Sequence, residues 1–219
     1  SHIAVDRLYK NVDIKTCSTF EETFKQAFND SRYKIVIPIE NSLAGRVADI
    51  HYLLPKYKLQ IHGEYFLPVE HNLLGKPEAN IEDIKYVRSH AQAISQCQNI
   101  ISKRKFKPII SIDTAGSAKD LAEGEDKSIA AIASDLSAKM YNLKILEKNI
   151  EDEKGNVTRF LIMGKNIEQP EYVSEKKYIT SCIFRVKSEP SALYKCLGGF
   201  ATNQVNLTKL ESFSVKNTF

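Results

Sequence analysis

Apolar and polar positions recur along the chain at two periods, near 3.6 and near 2, and the switches between them delimit its elements. Ile3 to Leu8 carries a short helical pattern, and Asp13 to Cys17 reads as a brief strand. Thr19 then caps a helix with Phe20, Thr23, Phe24, Ala27 and Phe28 on neighbouring faces, and Glu21 and Glu22 in its first turn suit the helix dipole. The β-branched run Ile35–Ile39 is a strand that breaks into Glu40, Asn41 and Ser42. Val47, Ile50, Leu53 and Leu54 follow at helical spacing, and Pro55 is expected to stop that helix. Leu59 to Leu67 alternates as another strand. From Pro77 the pattern restarts: strand Ile84–Val87 ends in Arg88, Ser89 and His90, and Ala93, Ile94, Cys97, Ile100 and Ile101 mark a helix. Pro108–Ile112 is a strand, Asp113 and Thr114 cap a helix that ends near Gly124, and Ser128–Ala133 is an apolar strand of the kind buried on both faces. Ser134 caps a helix to Tyr141. After Leu143–Leu146, a polar loop from Asn149 to Asn156 returns the chain to strand Val157–Met163. Beyond a Glu-, Gln- and Pro-containing linker, Tyr178–Val186 and Val205–Leu210 read as strands flanking a helix from Ala192 to Thr202, with Asn203 as a left-handed stop.

This order implies an α/β fold with two lobes, residues 1–68 with 150–165 forming the first and 69–149 the second. A linker at 166–176 leads to a small α+β portion at 177–219. One helix with two strands buries too little surface to stand alone, so the chain is expected to continue past its last residue.

Composition narrows the class. Of 219 residues, 42% are hydrophobic and 26% charged, which excludes disordered and fibrous proteins. The net charge of +4 is spread as Lys without an aromatic-interleaved stripe, so no nucleic-acid partner is expected and the balance suits at most a small anion. No apolar run approaches the length of a membrane span and no secretory leader is read in the chain, so it is expected to be cytoplasmic, with no membrane partner; its start at Ser1 without Met fits a cloning scar or a missing true beginning. Cys17, Cys97, Cys182 and Cys196 lack metal or redox spacing and read as buried reduced thiols.

Candidate chemistry gathers at strand ends. Asn41 and Ser42 stand where a strand gives way to a predicted helix, a place suited to an anion, though either one could be only an N-cap. Ser89 repeats that position in the second lobe. Gln96 lies a turn or two further on, where spacing alone leaves it solvated. The returning strand brings Thr158 to the same cleft. Arg159 suits bidentate capture of a carboxylate or, equally, a salt bridge to Glu40 or Asp152. His51, His62, His71 and His90 show no paired ligand spacing and read as surface or loop residues, so no metal site is expected.

Four separated motifs carry a family resemblance: Pro38-Ile39-Glu40-Asn41-Ser42, Ser89-His90-Ala91-Gln92, Asn156-Val157-Thr158-Arg159-Phe160, and Asn206-Leu207-Thr208-Lys209-Leu210-Glu211-Ser212. In this order and separation the chain resembles the prephenate dehydratases over nearly its whole length. The resemblance implies a catalytic region (1–165) with a two-lobed, periplasmic-binding-protein-like fold, then a partial ferredoxin-like ACT domain that binds phenylalanine at a subunit interface. It implies decarboxylating dehydration of prephenate to phenylpyruvate in phenylalanine synthesis, without cofactor, by a homodimer or homotetramer. Thr158 would supply the proton or hydrogen bond to the departing hydroxyl, with Asn41, Ser89 and Gln96 placing the substrate and Ser42, Arg159 and Ser1 binding it. Ser191, Ala192, Leu193, Asn206, Leu207, Glu211 and Ser212 would form the phenylalanine site. The sequence departs from the family where a Gly-Ala-Tyr-Ser turn is absent and Ser1 stands as its last residue, where Ala91 replaces a common Pro, and where Phe213 replaces a frequent Arg. Arogenate dehydratase, with an amino group on its substrate in place of the keto group, is the nearest alternative, and a non-catalytic aromatic-acid binding module a more distant one.

Overall fold

The computed structural model describes residues 1–47, 50–166 and 171–212. Helix α1 (His2–Leu8) and helix α2 (Phe20–Asn29) lead to strand β1 (Lys34–Asn41), which doubles back on the two-residue strand β2 (Gly45–Arg46). Helix α3 (Ile50–Tyr57) follows, then β3 (Gln60–Pro68), β4 (Asn72–Gly75) and β5 (Tyr86–His90). Two short helices, α4 (Ala91–Ser95) and α5 (Gln98–Arg104), connect to β6 (Lys107–Ser111), α6 (Thr114–Glu123), β7 (Ile129–Ala133), α7 (Asp135–Met140) and β8 (Lys144–Glu147). The return strand is β9 (Val157–Gly164), and α8 (Ala192–Thr202) is the last regular element.

The strands form two sheets, ordered β2-β1-β9-β3 and β6-β5-β7-β4-β8. In the second, β5 runs parallel to β6 and β7, and β4 runs antiparallel to β7 and β8. Its central strands are buried on both faces. Ala130 and Ile132 join Leu73, Val87, Cys97, Ile100 and Phe106 in one cluster, and Ala131 and Ala133 join Leu74, Ala118, Leu121 and Ala138 in another. The period-2 side-chain alternation of β4 and β7 thus feeds both layers, which is why β7 reads as unbroken apolar sequence. On the first sheet, Val36, Leu67, Phe160 and Ile162 pack with Ala4 of α1. Among the described residues no helix is long and apolar enough to cross a membrane.

By its internal contacts the chain divides into two units. One comprises Ser1–Thr16, Val36–Val47 and Gly63–Ile162; the other comprises Cys17–Ile35, Ala48–His62 and Met163–Phe219. Within the second, Tyr57 of α3 meets the rings of Phe24 and Phe28 on α2, each at 5.8 Å between centroids, and Lys56 pairs with Glu21. Thr19 caps α2 as expected, its hydroxyl accepting from the Glu22 amide at 3.1 Å.

Several local expectations change. Pro55 sits inside α3 rather than ending it: the helix runs on to Tyr57, and Lys58, at φ 48°, is the left-handed residue that turns the chain away. Asn203 keeps φ −95°, and Gln204, at φ 57°, supplies the stop of α8, with Val205 N–H returning to the Phe200 carbonyl at 2.9 Å. Asp13–Cys17, Tyr178–Val186 and Val205–Leu210 form no strands. An extended segment becomes a strand only when a neighbour completes its ladder, and none of the three has one among the described residues. Cys97 is buried, but Cys17 and Cys196 are half-buried and Cys182 is exposed, so the expectation of four buried thiols holds for Cys97 alone.

Candidate active site

The site begins with the turn after β1. Asn41 Oδ1 accepts from the backbone N–H groups of Leu43 (3.0 Å) and Ala44 (2.8 Å), closing a turn in which Gly45 adopts φ +77°, a conformation that L side chains resist. The chain therefore reverses as a hairpin, pairing Glu40 with Arg46, and Asn41 and Ser42 do not stand at a helix N-terminus. A glycine in a polar stretch between apolar runs was the signal for a turn. The consequence for chemistry is direct: with its oxygen fixed by two amides, the Asn41 carboxamide must direct its NH2 the other way. That NH2 donates to Asn156 Oδ1 at 2.6 Å and to Thr158 Oγ1 at 3.0 Å.

Asn156 is buried and ends a return segment that is tied to the start of β4 and to the end of α4. Asn149 N–H donates to Asn72 Oδ1 (3.3 Å), Ile150 N–H to the His71 carbonyl (2.9 Å), and Asp152 N–H to the Gln96 carbonyl (2.7 Å). The Asp152 carboxylate caps α5 by accepting from Gln98 N–H (2.7 Å) and Asn99 N–H (3.0 Å), so it is not the partner of Arg159. Asn156 Nδ2 in turn donates to Gln96 Oε1 at 3.1 Å, and His71 Nε2 lies 2.9 Å from that same oxygen. Gln96 is thus not a solvated helix residue: it closes α4 at its C-cap and joins the polar chain. A continuous run of side chains, His71–Gln96–Asn156–Asn41–Thr158, lies within one compact unit.

Other sequence candidates occupy different roles. Ser42 ties the turn to the return segment, its hydroxyl donating to the Gly155 carbonyl (3.2 Å) and accepting from Val157 N–H (2.9 Å). Ser89 is fully buried at the end of β5, and its hydroxyl donates to the Ile132 carbonyl of β7 at 2.7 Å. Arg159 is paired with Glu64, whose Oε2 lies 2.7 Å from both Nε and Nη2; Glu40 is more distant, at 3.9 Å. Glu40, Arg159 and Glu64 stand on the adjacent strands β1, β9 and β3, a cross-strand set that spacing along the chain cannot reveal. Ser1 is exposed at the start of α1, its carbonyl accepting from Val5 N–H at 3.0 Å. Ser191, at φ 64°, precedes α8, which begins with Ala192 and Leu193; Asn206, Leu207 and Ser212 are exposed and outside regular structure, and Glu211 pairs with His51 (3.2 Å) and Lys209 (3.1 Å). Phe213 lies outside the described residues.

Two members of the polar chain had no assigned role in the sequence reading. His71, read there as a surface or loop residue, is only 7% exposed, and Asn156 only 5%. The available signal was polarity out of place: His71 and Asn72 open an otherwise apolar buried run, and buried polar groups have partners. Beside Gln96, Cys97 is fully buried, and burial, with Asp152 and Glu151 adding to it, pushes its thiol up to about 12.

Chemically, the chain of bonds has a fixed direction. Thr158 Oγ1 accepts from Asn41, which leaves its own hydrogen free to turn outward as a donor. Gln96 Oε1 receives Asn156 and faces His71, so its NH2 is also left outward. The arrangement offers two positioned neutral donors, suited to a departing oxygen and to a carboxylate or carbonyl.

Comparison with known proteins gives the family. The model for the family described as prephenate dehydratase matches residues 1–168. A protein of Komagataeibacter europaeus named bifunctional N-acyl-homoserine lactone acylase/prephenate dehydratase is 41% identical over 206 residues, 93% of this chain and 72% of its own. The prephenate dehydratase of Methanocaldococcus jannaschii is 40% identical over 95% of this chain and 74% of its own. Arogenate dehydratase/prephenate dehydratase 2 of Arabidopsis thaliana is 38% identical over 97% of this chain, which spans only 55% of that relative. The solved prephenate dehydratase of Staphylococcus aureus superposes with a TM-score of 0.77 at 28% identity, covering all of this chain and 81% of its own. One from Arthrobacter aurescens in complex with L-Phe superposes with a TM-score of 0.76 at 25% identity, over 92% of this chain and 67% of its own.

Proposed function

We propose, since this chain belongs to the prephenate dehydratase family, that its polar chain is the site at which prephenate loses water and carbon dioxide to give phenylpyruvate. The observation that carries the reading is the doubly anchored Asn41 amide, which forces the Thr158 hydroxyl to accept from it and so to present its hydrogen outward. In the substrate a hydroxyl and a tertiary carboxylate lie across a dihydro ring. As the C–O bond breaks, its electron pair leaves on oxygen, which takes up a proton; the C–C pair to the carboxylate enters the ring, and carbon dioxide departs. Aromatisation supplies the driving force, so the protein's task is orientation and a donor at the departing oxygen. A Thr hydroxyl is a weak acid, and Thr158 serves as a positioned donor through which a solvent proton follows. Gln96 places the substrate, Asn41 acts by orienting Thr158, and Ser89 and Ser42 hold the two strand ends that carry them. Arg159 binds the pyruvyl carboxylate only by leaving Glu64. The ring carboxylate is best left without a tight cation, because its charge disappears as the bond breaks.

The rest of the assignment follows the same family. Residues 1–68 with 150–165 and residues 69–149 form two lobes of periplasmic-binding-protein type, 166–176 is a linker, and 177–219 belongs to an ACT domain through which the cytoplasmic enzyme assembles as a homodimer or homotetramer. Phenylalanine is its effector, a reading supported by the L-Phe complex of the Arthrobacter relative, with Ser191–Leu193, Asn206, Leu207, Glu211 and Ser212 at the site. The names of two similar proteins supply the competing activities: arogenate dehydration and hydrolysis of N-acyl-homoserine lactones. One experiment separates them. The protein is supplied with prephenate, arogenate or an N-acyl-homoserine lactone, and phenylpyruvate, phenylalanine and free fatty acid are measured. Phenylpyruvate from prephenate at the highest kcat/KM is expected; preference for either other substrate would overturn the assignment.

A further inference from the structure

We propose that His71 is a positioning residue for this reaction: with a hydrogen held on Nε2, it fixes the Gln96 carboxamide so that the amide's NH2, and not its oxygen, is presented to the substrate. The argument starts from the opposite end of the polar chain. Backbone amides of Leu43 and Ala44 set the Asn41 oxygen, so Asn41 donates to Asn156 Oδ1. With its oxygen taken, Asn156 turns its NH2 to Gln96 Oε1 at 3.1 Å. Gln96 Oε1 is therefore an acceptor, and His71 Nε2, 2.9 Å from that oxygen, can face it without repulsion only by carrying a hydrogen. A carbonyl oxygen has two lone pairs, and Asn156 and His71 occupy both.

The remaining surroundings of His71 favour a fixed ring. Its N–H donates to Glu151 Oε2 at 3.0 Å and its carbonyl accepts from Ile150 N–H at 2.9 Å, so the backbone is held on both sides by the return segment. The residue is 7% exposed, and Asn72, which follows it in β4, pairs with Ala133 of β7. Gln96 by contrast has free torsions along its side chain. Without a second donor at its oxygen, the carboxamide could reverse, present an acceptor to an anionic substrate, and repel it. His71 thus acts on the substrate only through Gln96.

The test combines spectroscopy with kinetics on the full chain. In nitrogen-15 NMR of the labelled protein, assigned by loss of the signal in His71→Gln, Nε2 of the His71 ring is expected to carry a hydrogen; a ring with its hydrogen on Nδ1 alone would overturn the proposal. His71→Gln places an amide nitrogen near the position of Nε2, whereas His71→Phe fills the space without a donor. With prephenate, kcat/KM is expected to fall about tenfold in His71→Phe and to stay within about twofold of the parent in His71→Gln, the loss of one directed hydrogen bond. Equal kcat/KM in the two variants, both shown folded by thermal melting, would reduce His71 to a space-filling role and sink the idea. The kinetic arm rests on the proposed reaction. A parent protein inactive on prephenate would refute that reaction, while the tautomer measurement would still decide the role of His71.

Discussion

Replacing Asn41 with aspartate changes one NH2 to an oxygen and nothing else in shape, which makes Asn41→Asp the most informative single substitution at this site. The turn survives, because the oxygen accepting from Leu43 and Ala44 N–H is retained. At the other end, the introduced oxygen faces Asn156 Oδ1 at the 2.6 Å and Thr158 Oγ1 at the 3.0 Å now spanned by donated hydrogens. The Thr158 hydroxyl then turns inward to donate to the carboxylate and is lost as a donor to the departing oxygen. Asn156 can relieve its own repulsion only by reversing its amide, which sets its oxygen against Gln96 Oε1 and passes the conflict along to His71. Loss of one donor aimed at developing charge costs roughly 10²–10³ in kcat, about 3–4 kcal/mol of barrier. Stability should drop less, by about 1–3 kcal/mol, because the unmatched partner is the buried Asn156 while the turn amides stay bonded. The assay is initial-rate phenylpyruvate formation, with a thermal melt alongside. A folded Asn41→Asp protein with parental kcat would refute the directional argument.

Two further outcomes follow from neighbouring geometry. Glu64→Gln keeps the shape of the Arg159 partner and removes its charge; since Arg159 and Glu64 are both part-exposed, unfolding free energy measured by urea denaturation should change by no more than about 1 kcal/mol. A loss of several times that would mean the pair is effectively desolvated. Cys97, buried and with its thiol pushed up to about 12, should resist alkylation in the native protein at pH 8, while exposed Cys182 reacts; peptide mapping that finds Cys97 modified under native conditions would contradict its burial. The sign of its pH effect follows: burial raises the folded-state value, so its contribution to stability is complete below about 9, where the unfolded thiol titrates, and is lost as pH climbs towards about 12.

What could be read from the sequence was what periodicity reports. β1, β7 and β9 and helices α2, α6 and α7 were legible because each buries a face or is buried outright, and because Thr19, Asp113 and Ser134 are side chains that cap. Thr158 and Asn41 were legible as polar groups at strand ends. The path after Asn41 was misread because the same apolar spacing follows a hairpin as well as a direct strand-to-helix elbow, and only the backbone of Gly45 separates the two. Partners distant in sequence were not legible at all: His71 meets Gln96, and Arg159 meets Glu64, through sheet order and the return segment rather than through any local pattern. The apolar runs at Tyr178–Val186 and Val205–Leu210 have strand composition, but composition alone supplies no ladder partner.

The central claim is that the Thr158 hydroxyl, turned outward by Asn41, serves the departing oxygen of prephenate. The direct measurement is kcat for prephenate in Thr158→Val, which keeps the side chain's shape and β-branching and removes only the hydroxyl. A fall of about 10² or more, with an unchanged melting temperature, is the result expected of a donor engaged in the transition state. A kcat equal to the parent's would place the chemistry elsewhere.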